Sequence, residues 1–236
     1  MPPECKLAAT FLFVIAVVAT PREAFAAYAL YAVVLLTLAR VAGLPFGYVP
    51  KRLVIELPFL AFAFFLPFAG GGERTDVLGV ALSVDGLWAA WNILVKGTLG
   101  VAASVILAAT TDLTDLLRGM ERLRLPKALT TIAGFMVRYG DVIADEMRRM
   151  RIARASRGYD PRWIWQARAV ASSAGALFIR SFERGERVYR AMVSRGYTGT
   201  FPELSHTVAA TPGQWSASLS VPLLAAVVCV TAWALR

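Results

Sequence analysis

The sequence is poor in residues that bind metals or act as catalytic nucleophiles. It has a single histidine, His206, and two cysteines, Cys5 and Cys229, which lie near opposite ends of the chain. A transition-metal site needs several converging histidine, cysteine or carboxylate ligands, and the sequence contains no such cluster. It also lacks the G-x-x-x-x-G-K-[ST] loop that binds nucleotide phosphates, the nucleophile elbow and the H-E-x-x-H segment. We therefore expect no metal, no cofactor and no enzymatic activity in this chain, ATP hydrolysis included.

Charged residues are scarce as well, at 17% of the chain, whereas hydrophobic residues make up 57%. This balance is too hydrophobic for an ordinary soluble domain and favours a protein embedded in a lipid bilayer. The net charge of +9 suggests nucleic-acid binding at first sight, but the basic residues flank long apolar segments. Positive charge in that position is typical of the cytoplasmic side of a membrane, so we expect no nucleic-acid partner.

Five apolar runs are candidates for membrane spans. The first two are separated by Pro21, which lacks an amide proton and disfavours helix in the residue before it. No small-x-small cleavage site follows the first run, so we expect a retained helix rather than a signal peptide. A polar loop is expected over residues 70–85. The sequence thus predicts an all-α membrane protein with about five transmembrane helices, at Leu7–Thr20, Ala24–Ala39, Leu53–Ala69, Gly86–Thr111 and Val221–Leu235.

Residues 111–215 are strongly basic and are predicted to lie in the cytoplasm. They hold 17 of the 25 Lys+Arg residues and 10 of the 16 Asp+Glu residues, a local net charge of +7. By the positive-inside rule, the N-terminus is then inside and the C-terminus outside. Two apolar stretches in this region, 128–137 and 167–179, are too short to cross a bilayer. We expect helices one to four in 1–110, a cytoplasmic helical region in 111–215 and the last helix in 216–236, in a multi-pass protein of the bacterial cytoplasmic (inner) membrane.

Two charged residues fall inside predicted spans, where ionisable side chains are candidates for function. Glu56 follows Arg52 by four positions, so we expect it near the cytoplasmic interface. Lys96 lies deeper, in the fourth span, where a contact with Asn92 or with a backbone carbonyl is expected. A pair between Lys96 and Glu56 is the alternative.

The segment Ser-Arg-Gly-Tyr occurs twice, at Ser156–Tyr159 and Ser194–Tyr197, an offset of 38 residues. Each copy ends an arginine-rich stretch with helical patterning, and the predicted helices run from about Lys127 to Arg157 and from about Ala167 to Arg195. The duplication places two similar cationic helix ends in the cytoplasmic region.

Helix capping is one interpretation of these ends, because glycine adopts the left-handed conformation past a last turn and a cation complements the helix dipole there. Capping does not account for the matching serine and tyrosine. A planar guanidinium that projects past a helix end binds a partner's carboxylate through two parallel hydrogen bonds. We therefore predict docking to a partner with two similar grooves, a dimer or a pair of homologous subunits, by six residues: Ser156, Arg157, Gly158, Ser194, Arg195 and Gly196.

Further segments, spread over nearly the whole chain, carry a resemblance to a known family. They are Thr20-Pro21-Arg22, Phe65-Leu66-Pro67-Phe68, Gly71-Gly72-Glu73, Ala109-Thr110-Thr111 and the stretch 180–199. With these segments the sequence resembles the transmembrane T component of energy-coupling factor transporters, of the CbiQ type that serves cobalt uptake. The family carries Ala-Arg-Gly at the ends of two coupling helices, and Ser156 and Ser194 stand here in place of alanine.

The resemblance implies a non-catalytic coupling subunit of an ATP-driven importer. T components of the family hold two ATP-binding-cassette ATPases, which bind the ATP, and a membrane-embedded substrate-binding component. The arginines of the two signatures dock into grooves of the ATPases. Cobalt is the expected substrate, and a T component of a nickel or vitamin transporter is the first alternative. The second is a membrane enzyme that acts on phosphorylated lipid through its cytoplasmic arginines.

Overall fold

The computed structural model describes residues 1–45, 47–69, 71, 74–77, 80–159, 167–199 and 210–234, which form nine α-helices and one β-hairpin. A turn of 3-10 helix, Leu53–Glu56, joins the third helix to the fourth. In chain order the elements are α1 (Pro3–Ala19), α2 (Phe25–Val41), α3 (Tyr48–Arg52), α4 (Leu57–Ala69), β1 (Arg74–Val77), β2 (Val80–Ser83), α5 (Val84–Thr110), α6 (Leu113–Arg122), α7 (Lys127–Ser156), α8 (Ala167–Val193) and α9 (Pro212–Ala234).

The chain folds as two compact units. The first unit comprises Met1–Leu123 and Ala209–Arg236, and the second unit comprises Arg124–Val208. All five predicted spans therefore belong to the first unit, whereas both Ser-Arg-Gly-Tyr segments belong to the second.

Each predicted span overlaps a helix of the first unit, namely α1, α2, α4, α5 and α9. Among the described residues, α5 and α9 are long and apolar enough to cross a membrane, and α2 is a shorter apolar helix. Large apolar side chains of α4, such as Phe59, Phe62 and Phe64, are exposed, as lipid-facing side chains are expected to be. The predicted all-α membrane fold is confirmed.

The expected loop between α4 and α5 is wrong in one respect. Strands β1 and β2 pair there as an antiparallel hairpin, with Arg74 opposite Ser83 and Val77 opposite Val80. The two strands carry β-branched residues at Thr75, Val77 and Val80, which favour extended backbone over open loop. The Ser83 side chain then accepts a hydrogen bond of 3.2 Å from the Gly86 amide and caps α5, which begins before the predicted span.

Glycine at position 86 is required by the close packing of α5 on α4. A Cβ atom at Gly86 would lie 2.4 Å from the Leu66 carbonyl oxygen and 2.8 Å from the Pro67 Cα. These are backbone atoms, which cannot relieve a clash by a change of rotamer. A side chain here would force the two helices apart.

The core of the first unit is organised around Tyr31, whose side chain is fully buried. Its ring packs edge-on against Phe13, with centroids 5.8 Å apart. Its hydroxyl donates to the Ala225 carbonyl oxygen at 3.0 Å and lies 3.0 Å from the Thr20 hydroxyl. Tyr31 thus links α2 to α1 and α9 while its polar atom remains hydrogen-bonded, as burial requires.

The second unit contains the two longest stretches of charged helix, α7 with 30 residues and α8 with 27. Pro126 precedes α7, a position where its fixed φ and missing amide proton are tolerated. Both helices end within two residues of the predicted ends at Arg157 and Arg195.

Candidate docking site at two helix ends

The end of α7 is closed by a glycine in the left-handed conformation. Gly158 has a φ of +76°, and its amide donates to the Ala155 carbonyl at 3.0 Å. The Tyr159 amide donates to the Arg154 carbonyl at 3.1 Å. These two bonds form a Schellman motif, which satisfies carbonyls that the helix end leaves without a partner.

The end of α8 repeats the same arrangement. Gly196 has a φ of +84°, and its amide donates to the Val193 carbonyl at 2.9 Å. The Tyr197 amide donates to the Met192 carbonyl at 3.0 Å. Both copies of the sequence motif therefore adopt the same backbone structure. In each copy, the glycine amide donates to the carbonyl three residues earlier and the tyrosine amide donates to the carbonyl five residues earlier.

The serines of the two motifs are satisfied within their own helices. The Ser156 hydroxyl donates to the Ile152 carbonyl at 2.9 Å, and the Ser194 hydroxyl donates to the Ala191 carbonyl at 3.0 Å. Serine thus stands in each motif without leaving a polar group that needs a partner.

Arg157 and Arg195 are exposed at the two ends. Among the described residues, neither guanidinium forms an ion pair, although other arginines of the unit, such as Arg184 and Arg190, do. The six predicted docking residues therefore lie at two capped ends, each with an exposed guanidinium beside its glycine.

One carboxylate joins the two helices that carry these ends. Glu146 on α7 accepts hydrogen bonds from Arg184 at 2.8 Å and from Arg180 at 3.1 Å, both on α8. The bonds from Arg184 and then Arg180 outweigh partial desolvation and hold the pKa of Glu146 below its ordinary value. Sequence spacing did not reveal this residue, because its partners are 34 and 38 positions away.

A second polar contact links α7 and α8 nearer to the first docking end. Arg154 donates to the Ser173 hydroxyl at 2.7 Å, and its guanidinium carbon lies 5.9 Å from the centre of the Tyr159 ring. Arg154 therefore contacts both Tyr159 of the first motif and Ser173 of α8.

The two charged residues of the predicted spans do not pair with each other. Lys96 donates to the Val18 carbonyl at 2.7 Å, so the expected contact with a backbone carbonyl is present. Glu56 is 5% exposed and accepts from the Thr98 hydroxyl at 3.0 Å. Glu56 is therefore buried within the protein, and its position near the cytoplasmic interface stays a prediction.

The described part of the chain contains no group of three or more histidine, cysteine, aspartate or glutamate side chains that could hold a metal ion. Cys5 and Cys229 are buried and not bonded to each other. His206 lies outside the described residues.

The chain is similar to known proteins over most of its length. The sequence model of the CbiQ family, described as cobalt transport protein, matches residues 1–207. The cobalt transport protein CbiQ of Rhodobacter capsulatus is 30% identical over 183 residues, which cover 74% of each chain. The energy-coupling factor transporter transmembrane protein EcfT of Bacillus selenitireducens is 26% identical over 211 residues, or 84% of this chain and 79% of that one.

An uncharacterised protein of Methanocaldococcus jannaschii is 27% identical over 180 residues, which cover 72% of this chain. The match spans 61% of the length of that relative. Because the family match extends over most of the sequence, the chain belongs to the CbiQ family of cobalt transport proteins, the transmembrane components of energy-coupling factor transporters.

Proposed function

We propose that this chain is the coupling subunit of an ATP-driven importer. In this proposal, the ends of α7 and α8 dock into two ATP-binding-cassette ATPases, and the helices of the first unit hold a membrane-embedded substrate-binding component. The observation that carries the proposal is the repeated helix end, in which two identical backbone caps each present one exposed arginine, Arg157 and Arg195.

The chemistry of these ends suits paired protein grooves. A guanidinium is always charged and presents a rigid fork of donors that matches a carboxylate. The glycine beside it has no side chain, so a partner surface can approach the helix end closely. Two ends of the same structure suit two copies of an ATPase or a homologous pair.

The distribution of charge supports a cytoplasmic position for the docking ends. The basic region 111–215 contains α6, α7 and α8, and positive charge accumulates on the cytoplasmic side of membrane proteins. The chain then crosses the bacterial inner membrane several times, with its N-terminus in the cytoplasm. ATP is bound by the partner subunits rather than by this chain.

Cobalt is the proposed substrate of the complex, because the matching family and the Rhodobacter capsulatus relative are both described as cobalt transport proteins. A second candidate is a T component that serves another substrate, nickel or a vitamin. The similarity to EcfT over 84% of this chain favours keeping that candidate.

The test is co-purification of the full chain with tagged ATPase subunits, followed by uptake of Co²⁺, Ni²⁺ and vitamins in cells that express the complex. We expect the ATPases to be retained and Co²⁺ uptake to depend on ATP. Failure of the ATPases to co-purify, or specific binding of phosphorylated lipid by Arg157 and Arg195, would contradict the proposal.

A further inference from the structure

The first turn of α1 contains a buried carboxylate that has no part in the docking ends. Glu4 is 4% exposed, and its Oε1 atom accepts two hydrogen bonds. One comes from the Arg122 guanidinium at 2.8 Å, and the other comes from the Ala210 amide at 3.3 Å. Surface ion pairs contribute little to stability, but a buried carboxylate requires its partners because desolvation of its charge is costly.

The two partners of Glu4 lie at the two places where the chain passes between the units. Arg122 ends α6, and the chain leaves the first unit directly afterwards, at Leu123. Ala210 follows the point at which the chain returns to the first unit, at Ala209. One oxygen atom of one side chain thus binds a residue of the first unit beside each of these two places, although Glu4 and Ala210 are 206 positions apart.

The connection after Arg122 has an unusual backbone. Arg124 has a φ of 63°, the left-handed region that residues other than glycine rarely adopt. Pro126 follows and directly precedes α7. A residue with a side chain is strained in this conformation.

The surroundings of Glu4 are closely packed. A Cβ atom on Gly119 of α6 would lie 3.0 Å from the Pro3 carbonyl carbon and 3.1 Å from the Glu4 amide, so α6 rests directly against the first turn of α1. Lys6 donates to the carbonyl of Thr110, the last residue of α5, at 2.7 Å. The start of α1 therefore contacts the end of α5, the body of α6 and the chain before α9.

We propose that Glu4 is a positioning residue for energy coupling, which anchors both connections of the second unit to α1. Because both connections are held, movement of α7 and α8 passes to the membrane helices instead of being absorbed at the joints. This inference rests on the proposed coupling function.

The contact itself is tested first on the purified full chain by hydrogen exchange. We expect Glu4→Ala to speed exchange both in the peptide that contains Arg122 and in the peptide that contains Ala210. Asp115→Asn is the matched control, since Asp115 is an exposed carboxylate of α6 that pairs with Arg118, one turn away in the same helix. A change in one peptide alone, or in neither, would overturn the shared anchor.

The role in coupling is tested on the complex with its ATPases and substrate-binding component. We expect Glu4→Gln, which keeps the side-chain shape and removes the charge, to leave ATPase co-purification and ATP hydrolysis intact. Co²⁺ imported per ATP hydrolysed should fall about fivefold, the lower end of usual coupling factors between sites. Asp115→Asn should keep the wild-type ratio.

Two results would overturn the inference. An unchanged ratio of Co²⁺ to ATP in Glu4→Gln would show that the anchor does not transmit movement. If complex assembly and uptake fall together while the ratio of Co²⁺ imported to ATP hydrolysed is preserved, Glu4 contributes to folding and not to coupling. In both cases the wild-type complex still imports Co²⁺, whereas failure of the proposed function appears as a wild-type chain that neither retains ATPases nor supports uptake.

Discussion

Glu146 Oε2 lies 2.8 Å from Arg184 Nη2, and this contact joins α7 to α8 across 38 positions of sequence. Arg180 shares the same carboxylate at 3.1 Å. Since each helix carries one of the two capped ends, the carboxylate helps to fix how those ends are held within the second unit.

Acidification should weaken the contact of Glu146 with Arg184 and Arg180 in the wild-type protein. The pKa of Glu146 is below its ordinary value of 4.5 in the folded chain, so its stabilising contribution is present above pH 4.5 and is lost as the pH falls through the lowered folded pKa. We expect hydrogen exchange in α7 and α8 to speed up in that range for the wild type, beyond the change seen in Glu146→Gln. Glu146→Gln should already exchange faster at neutral pH. Equal pH profiles for the two proteins would contradict the assignment.

Most helices of this fold could be predicted because they depend on short-range patterns. Apolar runs mark α1, α2, α4, α5 and α9, and prolines and glycines mark where helices begin and end. The hairpin was missed because its strands have only four residues each, too few for alternation to be distinct from a polar loop.

The two capped helix ends were predicted from sequence because the repeated motif encodes its own cap, and docking by their arginines stays a prediction. The partners in the contacts that hold the helices together could not be predicted, since each partner depends on packing between distant segments. Lys96 meets Val18 across 78 positions, and Glu4 meets Arg122 across 118. For the contact of Glu4 with Arg122, the sequence indicates only that a carboxylate stands just before an apolar run.

Single-cysteine labelling should place the docking ends in the cytoplasm. Cysteines at positions 159 and 197 should react with an impermeant reagent only from the cytoplasmic side, because the basic region that contains them is retained there. Cysteines at positions 23 and 73 should react only from outside. Cys5 and Cys229 are buried, and their replacement by alanine provides the cysteine-free background. Labelling of positions 159 and 197 from opposite sides would contradict the five-span topology.

Alanine at Gly158 or Gly196 should destabilise the helix end through the backbone alone. A Cβ atom at either site meets nothing within 4 Å, so the effect comes from the left-handed φ, at about 1–2 kcal/mol for a residue with a side chain. We expect faster hydrogen exchange at the Tyr159 or Tyr197 amide and weaker retention of the ATPases. Asparagine, which tolerates this conformation, should have a smaller effect.

Gly185→Ala is the matched control for these glycine substitutions. Gly185 lies inside α8, and a Cβ atom there would also meet nothing within 4 Å, but its backbone is helical. Alanine there should stabilise the helix by about 0.5–1 kcal/mol and leave assembly unchanged. An equal loss of ATPase retention in Gly185→Ala and Gly196→Ala would show that the left-handed glycine at the helix end has no specific role in docking.

Arg157→Ala and Arg195→Ala should each weaken association with the ATPases. Removal of one guanidinium leaves an acidic group of the partner unpaired, at a cost of about 2–5 kcal/mol for a buried pair. The double variant should be weaker than either single variant, because two grooves are served. Lysine at either position should restore binding only in part, since it lacks the planar fork. Membrane insertion should be normal, and retention of the ATPases and Co²⁺ uptake are the measurements.

Arg190→Ala is the control that separates docking from a general loss of positive charge. Arg190 is exposed and lies on the same helix as the second motif, but it pairs with Glu186 at 3.2 Å within that helix. Its removal should cost a few tenths of a kcal/mol in helix stability, as for other exposed pairs at this spacing, and should leave the ATPases bound. If Arg157 and Arg195 only cap their helices, we expect the opposite result. Their removal should then lower folding stability slightly, lysine should restore it fully, and assembly with the ATPases should be normal. Wild-type retention of the ATPases by the double alanine variant, with uptake unchanged, would therefore leave capping as the whole role of these arginines.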